Sequence, residues 1–153
     1  MKKKITILLT GFLIICLILP GLSIAEKMWS SATDELVAKT KKTIKLIDMS
    51  GFMEAVNKMD YDMIIDVREP DEFAAGYVTG AINIPRGLIE FKIWKKVGFP
   101  DKTDTNRKIF IYCKTGGRAS LSAKSLQDLG FTNVTAVDMK IADWVTAGYP
   151  TQK

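Results

Sequence analysis

Lys108-Ile109-Phe110-Ile111-Tyr112-Cys113-Lys114-Thr115-Gly116-Gly117-Arg118 is the stretch that decides the fold. Ile109 to Tyr112 is a short apolar run of β-branched and aromatic residues, the signature of a strand covered on both faces. Two adjacent glycines then allow a tight turn. Beyond it Ala119, Ala123, Leu126 and Leu129 recur at helical spacing, and Gly130 supplies the C′ position. The stretch is therefore strand, loop and helix, with a cysteine at the carboxyl end of the strand.

The same alternation continues on both sides. Ile44-Lys45-Leu46-Ile47 reads as a strand, and Ser50 is placed to cap a helix carrying Phe52, Met53 and Val56. Met63-Ile64-Ile65-Asp66-Val67 is a second strand, followed by Pro70 in the first turn of a short helix with Phe73 facing inward. Ala81-Ile82-Asn83-Ile84 is a third, stopped by Pro85; Leu88 to Val97 is amphipathic and ends at Gly98 and Pro100. Asn133 to Val137 is a fifth strand, and Ile141, Trp144 and Val145 mark a last helix before Gly148. Strands alternating with helices predict an α/β domain, a mainly parallel five-stranded sheet with helices on both faces, over residues 44–150.

The amino terminus has a different composition. Lys2, Lys3 and Lys4 precede an almost uncharged run from Ile5 to Ala25, broken at Pro20-Gly21 and closed by Ser23-Ile24-Ala25. That is the pattern of a signal peptide cleaved after Ala25. An uncleaved anchor is the rival reading, but a span needs about 20 apolar residues, and the apolar stretch within this run is slightly short of that and interrupted by Pro20. A lipoprotein is excluded by Ile15, which precedes Cys16 where a small residue is required. The expected location is exported, periplasmic or otherwise extracytoplasmic, with membrane contact only through the signal segment if it is retained. Residues 26–43 are polar and read as a linker or short helix around Thr33–Thr40 with Thr33 as N-cap. Its lysines suit a solvated tether better than a lipid-binding patch.

Cleavage changes what the composition means. The 153 residues carry 22 basic and 17 acidic side chains and no histidine. Three of the basic residues leave with the signal, so the mature chain is close to neutral at +2 and has no charge excess for nucleic acid. The missing histidine removes Ser-His-Asp and Cys-His catalysis and imidazole metal sites. Asp60-Tyr61-Asp62 lacks the surroundings of a calcium loop and reads as a solvated turn. No metal or cofactor is expected. Of two cysteines only Cys113 remains, which precludes an internal disulfide and makes a lone thiol in an oxidising compartment a feature that needs a reason.

The loop after Cys113 supplies one. Ligands of open α/β sheets bind at the carboxyl ends of strands. The Gly116-Gly117 turn directs backbone N–H groups inward as an anion nest, and the next helix adds the positive end of its dipole. Lys114 and Arg118 add formal charge. Together these favour the thiolate. The plain alternative, a buried cysteine that merely ends a strand, does not account for the glycines and flanking cations, and no nucleotide-binding glycine pattern is present.

At these residues the chain resembles the rhodanese domain family of sulfurtransferases. Asp66-Val67-Arg68-Glu69-Pro70-Asp71-Glu72-Phe73, Gly76-Tyr77-Val78 and Gly80-Ala81-Ile82-Asn83-Ile84-Pro85 are similar to its upstream signature. Cys113 to Arg118 is similar to its active-site loop, and Trp144 with Ala147-Gly148-Tyr149-Pro150 to its closing motif. Two departures stand out: Tyr77-Val78 replaces a frequent His-Ile, and Met139-Lys140 replaces two glycines in a loop near the pocket.

The resemblance implies that Cys113 accepts the outer sulfur of a donor such as thiosulfate as a persulfide and passes it to a thiol or cyanide. Lys114, Thr115, Gly116, Gly117 and Arg118 would form the substrate-binding loop, with Arg118 and Lys114 on the donor's oxygens. An Arg118 that braces the loop against a carboxylate is the competing role. Asp66 and Arg68 are read as a structural ion pair near the site. Phe91, Ile93 and Trp94 exceed one helical face and suggest either sheet cover or a partner surface. Two rivals use the same fold. Phosphatases and arsenate reductases place five residues between cysteine and arginine, whereas four separate Cys113 from Arg118. A non-catalytic sulfur carrier or binding module is the other.

Overall fold

The computed structural model describes residues 30–153. The signal peptide expected at residues 1–25 and its cleavage site lie outside the described residues.

The decisive strand is β5 (Ile109–Tyr112), central in a five-stranded parallel sheet. Its neighbours are β2 (Met63–Asp66) on one side and β6 (Val134–Asp138) on the other. β1 (Lys45–Asp48) and β4 (Ile82–Asn83) form the two edges, giving the order β1-β6-β5-β2-β4. The period of two in β5 divides the core. Ile109, Ile111 and Cys113 face one layer with Ala119, Ala123, Leu126, Ile89 and Ile93. Phe110 and Tyr112 face the other with Phe52, Val137 and Trp144. Each fully buried Ile or Phe contributes ~1.5–3 kcal/mol relative to exposure, so a one-residue slip of β5 would exchange both layers at once.

The helices that supply these layers are α2 (Met49–Asn57) and α6 (Ile141–Thr146) on one face, and α4 (Ile89–Lys96) and α5 (Gly117–Asp128) on the other. α5 ends as its glycine demands: Gly130 adopts φ +91°, its N–H donates to the Gln127 carbonyl, and Phe131 N–H donates to that of Leu126. Leu126 and Phe131 are both buried, completing the hydrophobic contact of a Schellman cap. α2 is capped two residues earlier than Ser50 suggested, because Asp48 accepts from Gly51 N–H at 2.7 Å.

Three features extend or correct the sequence reading. The short helix expected around Thr33–Thr40 is longer, forming α1 (Ser31–Lys41), with Ser30 rather than Thr33 at its N-cap. It packs on α5, burying Thr40. Past residue 150, β7 (Thr151–Gln152) pairs antiparallel with β3 (Tyr77–Val78). On α4, Ile93 enters the core and Trp94 packs against it, while Phe91 stays 79% exposed. Sheet cover therefore explains two of those three residues.

Because every strand of the main sheet is parallel, the loops after β2, β4, β5 and β6 converge on one edge. Among the described residues no helix is long and apolar enough to cross a membrane.

Candidate active site

Cys113 is the first residue past β5 and only 1% exposed, at the floor of the loop that follows. The first N–H groups of a helix lack intrahelical partners. In α5, that of Ala119 donates to Cys113 Sγ at 3.4 Å. The sulfur thus sits against the amino-terminal turn of a twelve-residue helix, where backbone dipoles favour negative charge.

Gly116 makes this possible. It is the N-cap of α5 at φ +85°, a conformation costing L-residues ~1–2 kcal/mol. A Cβ there would lie 2.7 Å from Asp138 Oδ1, so the close approach independently excludes a side chain. Ser120 fixes the turn by donating to the Gly116 carbonyl from both its N–H and its Oγ, each at 2.9 Å. On the far side, Ile141 N–H donates to the Lys114 carbonyl at 3.1 Å, stitching the loop after β6 to the cysteine loop. Met139, one of the two departures, is buried in the layer beneath with Tyr112 and Trp144, while Lys140 is exposed. Lys114 and Thr115 are exposed at the rim.

Arg118 is engaged elsewhere. Its guanidinium donates to both carboxylate oxygens of Glu72, at 2.6 and 2.9 Å. Glu72 also accepts from Glu69 N–H at 3.2 Å, at the start of α3 (Pro70–Ala74). The bond to Arg118 holds the Glu72 carboxyl below the usual carboxylate range and raises the guanidinium in return. This is the brace arrangement, and Glu72 is a participant the sequence reading did not single out. Its signals were its place in the stretch from Asp66 to Phe73 and its position in the first turn of a short helix, 46 positions from its partner.

Beneath the loop, Arg68 and Asp66 form a buried pair with Nη2 to Oδ2 at 2.6 Å. Arg68 also donates to the Gly76 carbonyl at 2.7 Å, and Asn83 Nδ2 donates to the carbonyls of Asp66 and Arg68. Burial opposes the Arg68 charge, but the Asp66 bonds outweigh it and its pKa is raised. Burial, aided by the Asp66 carboxylate, pushes the Tyr112 phenol well above the ordinary range, and its Oη accepts from Val78 N–H at 3.0 Å. These groups hold the loop after β2 in place and lie outside the loop that surrounds the sulfur.

No grouping of His, Cys, Asp or Glu among the described residues is arranged to hold a metal. Asp60 and Asp62 instead engage Lys108, at its Nζ and its N–H respectively. A depression lined by Lys45, Glu54, Lys58 and Lys108 and another lined by Phe91, Trp94, Lys95 and Phe99 both lie away from the sulfur.

The site is thus a thiol at a strand terminus, a glycine turn, and a helix amino terminus touching the sulfur. The family model for the rhodanese-like domain matches residues 34–147. The chain belongs to that family. Among relatives of this rhodanese-like chain, the thiosulfate:glutathione sulfurtransferase of Saccharomyces cerevisiae is 25% identical over 134 residues, covering 79% of this chain and 96% of the relative. The thiosulfate sulfurtransferase PspE of Escherichia coli is 37% identical over 70 residues, covering 46% of this chain and 62% of PspE. An Escherichia coli rhodanese solved with anions superposes with a TM-score of 0.50 at 28% identity, over 60% of this chain and 96% of its own. The sulfurtransferase family and the parallel α/β fold follow from these matches together with the sheet described above.

Proposed function

We propose that this chain is an exported sulfurtransferase that carries sulfane sulfur on Cys113, taking it from an anionic donor such as thiosulfate and delivering it to a thiol or cyanide. The observation that carries the reading is the contact between Cys113 Sγ and Ala119 N–H at the amino terminus of α5. It supplies stabilisation for a sulfur anion without a partner base, in a chain that has no histidine.

The chemistry balances in two steps. The Cys113 thiolate attacks the outer sulfur of thiosulfate; the S–S bond of the donor breaks, and sulfite leaves with the bonding pair. The Cys113 persulfide anion is then attacked at its terminal sulfur by cyanide. Thiocyanate departs and the thiolate is restored. Both anions would draw on the same amino terminus of α5, where Ala119 N–H meets the sulfur, so little reorganises between the steps. Lys114, exposed at the rim, would supply a charge for the sulfonate. The four-residue loop and the engagement of Arg118 by Glu72 weigh against an oxyanion cradle of the phosphatase kind.

The test is thiosulfate:cyanide turnover together with intact mass. The chain is expected to show ping-pong kinetics and a donor-dependent gain of ~32 Da, one sulfur on the cysteine. Cys113→Ser should lose both while keeping its melting temperature. Turnover in that variant would overturn the mechanism; the mass gain without turnover would identify a carrier instead. Export is proposed from the sequence pattern, with Glu26 expected as the first residue of the exported protein on N-terminal sequencing. A chain starting at Met1 in the membrane fraction would replace cleavage with anchoring.

A further inference from the structure

We infer that Lys41, on the amino-terminal helix, is a positioning residue for the cysteine loop: it neutralises Asp138 where that carboxylate meets the Gly116 turn, and so keeps the anion nest available to an anion. The inference rests on the sulfur-transfer reading for its purpose, but not for its geometry.

Asp138 ends β6 and lies against the loop that carries the cysteine. Its Oδ1 comes close enough to Gly116 that a methyl group there would sit 2.7 Å away. A negative charge at this point opposes a thiolate, a persulfide or a donor sulfonate in the nest a few residues along. Lys41 Nζ meets the same Oδ1 at 2.6 Å, from 97 positions earlier in the chain. α1 is held for this contact by packing: Thr40 is buried, and a methyl group at Gly117 would lie 3.6 Å from Val37 Cγ2. Helix α1 therefore forms one wall of the loop, touching it at Gly117 through Val37 and next to Gly116 through the ion pair.

Stability does not explain the pair. Its side chains are 28% and 42% exposed, and exposed ion pairs contribute little to folding. Its effect falls on the local potential. Two other carboxylates near the cysteine loop have cationic partners of their own, Glu72 with Arg118 and Asp66 with Arg68, and Glu69 acts on the Arg118 side of the loop. Removing Lys41 would leave the Asp138 charge uncompensated beside Gly116.

The experiment compares alkylation of Cys113 by iodoacetate, an anion, and by neutral iodoacetamide. Full-length protein at low ionic strength is used, and the Cys113 peptide is followed by mass spectrometry so that Cys16 does not contribute. Lys41→Gln should lower the iodoacetate-to-iodoacetamide rate ratio roughly three- to tenfold, the order expected of one unscreened charge in a partly solvated site. Lys41→Arg should keep the ratio, and Lys41→Gln combined with Asp138→Asn should restore it. An unchanged ratio in Lys41→Gln would overturn the inference. So would a fall in both rates that the double variant fails to rescue, since that is the mark of a packing role alone. Should Lys41→Gln unfold, Asp138→Asn alone carries the test, with the ratio expected to rise. The readout needs no turnover, so the proposed activity can fail while this inference stands, and the reverse.

Discussion

Arg118→Ala separates the two roles that arginine could play, and the structure gives the expected size. Both terminal nitrogens of Arg118 bond Glu72, at 2.6 and 2.9 Å, and the two side chains are about 30% exposed. Fully desolvated charge-assisted bonds are worth ~1.5–3 kcal/mol, and exposed pairs ~0–1 kcal/mol. A half-buried bidentate pair falls between, at ~1–2 kcal/mol, or roughly 5- to 30-fold in kcat/KM. Because the brace acts on the loop and not on the donor, thiosulfate and an uncharged organic trisulfide should lose that factor alike. Glu72→Gln should reproduce much of the loss, since it keeps the shape but removes the charge. The pH dependence follows from the sign of the Glu72 shift. Its carboxyl is lowered in the folded state, so the brace is fully present above the unfolded carboxyl range near ~4.3 and is lost as pH falls through the lower folded value. Wild type should therefore show an acid limb in loop order that Glu72→Gln lacks. Steady-state kinetics with both donors checks the first claim and Cys113 alkylation against pH the second. A loss confined to thiosulfate would refute the reasoning, because it would mean that Arg118 leaves Glu72 to hold the donor.

Gly116→Ala should destabilise the fold by ~1–3 kcal/mol in urea unfolding, from the positive φ together with the approach of Asp138, and should lower activity further than stability accounts for. Arg68→Ala should cost ~3–5 kcal/mol by leaving Asp66 buried and unpaired, while any folded protein retains the Cys113 persulfide on mass analysis.

Local rules carried much of this protein. The alternation of Ile109, Phe110, Ile111 and Tyr112 requires a strand with two covered faces, and helical spacing after Gly117 requires the helix that follows. Parallel order then brings the strand ends, and Cys113, to one edge. Gly130 ended α5 as read, because the left-handed position is a property of the residue itself. Caps were less legible: Asp48 and Ser50 are both competent, and only the path of the chain chose Asp48.

The sequence alone determined the five strands of the main sheet, the cysteine at a strand end and the glycine turn, each from residues within about ten positions of one another, and their alternation with helices determined the parallel sheet. Tertiary structure decided what surrounds them. Glu72 reaches Arg118 across 46 positions, Lys41 reaches Asp138 across 97, and β7 finds β3 from the far end of the chain. A charge carries no sequence label for its partner. Which acid meets which base depends on how the layers pack, and packing is fixed by the sum of many small apolar contacts rather than by any one motif.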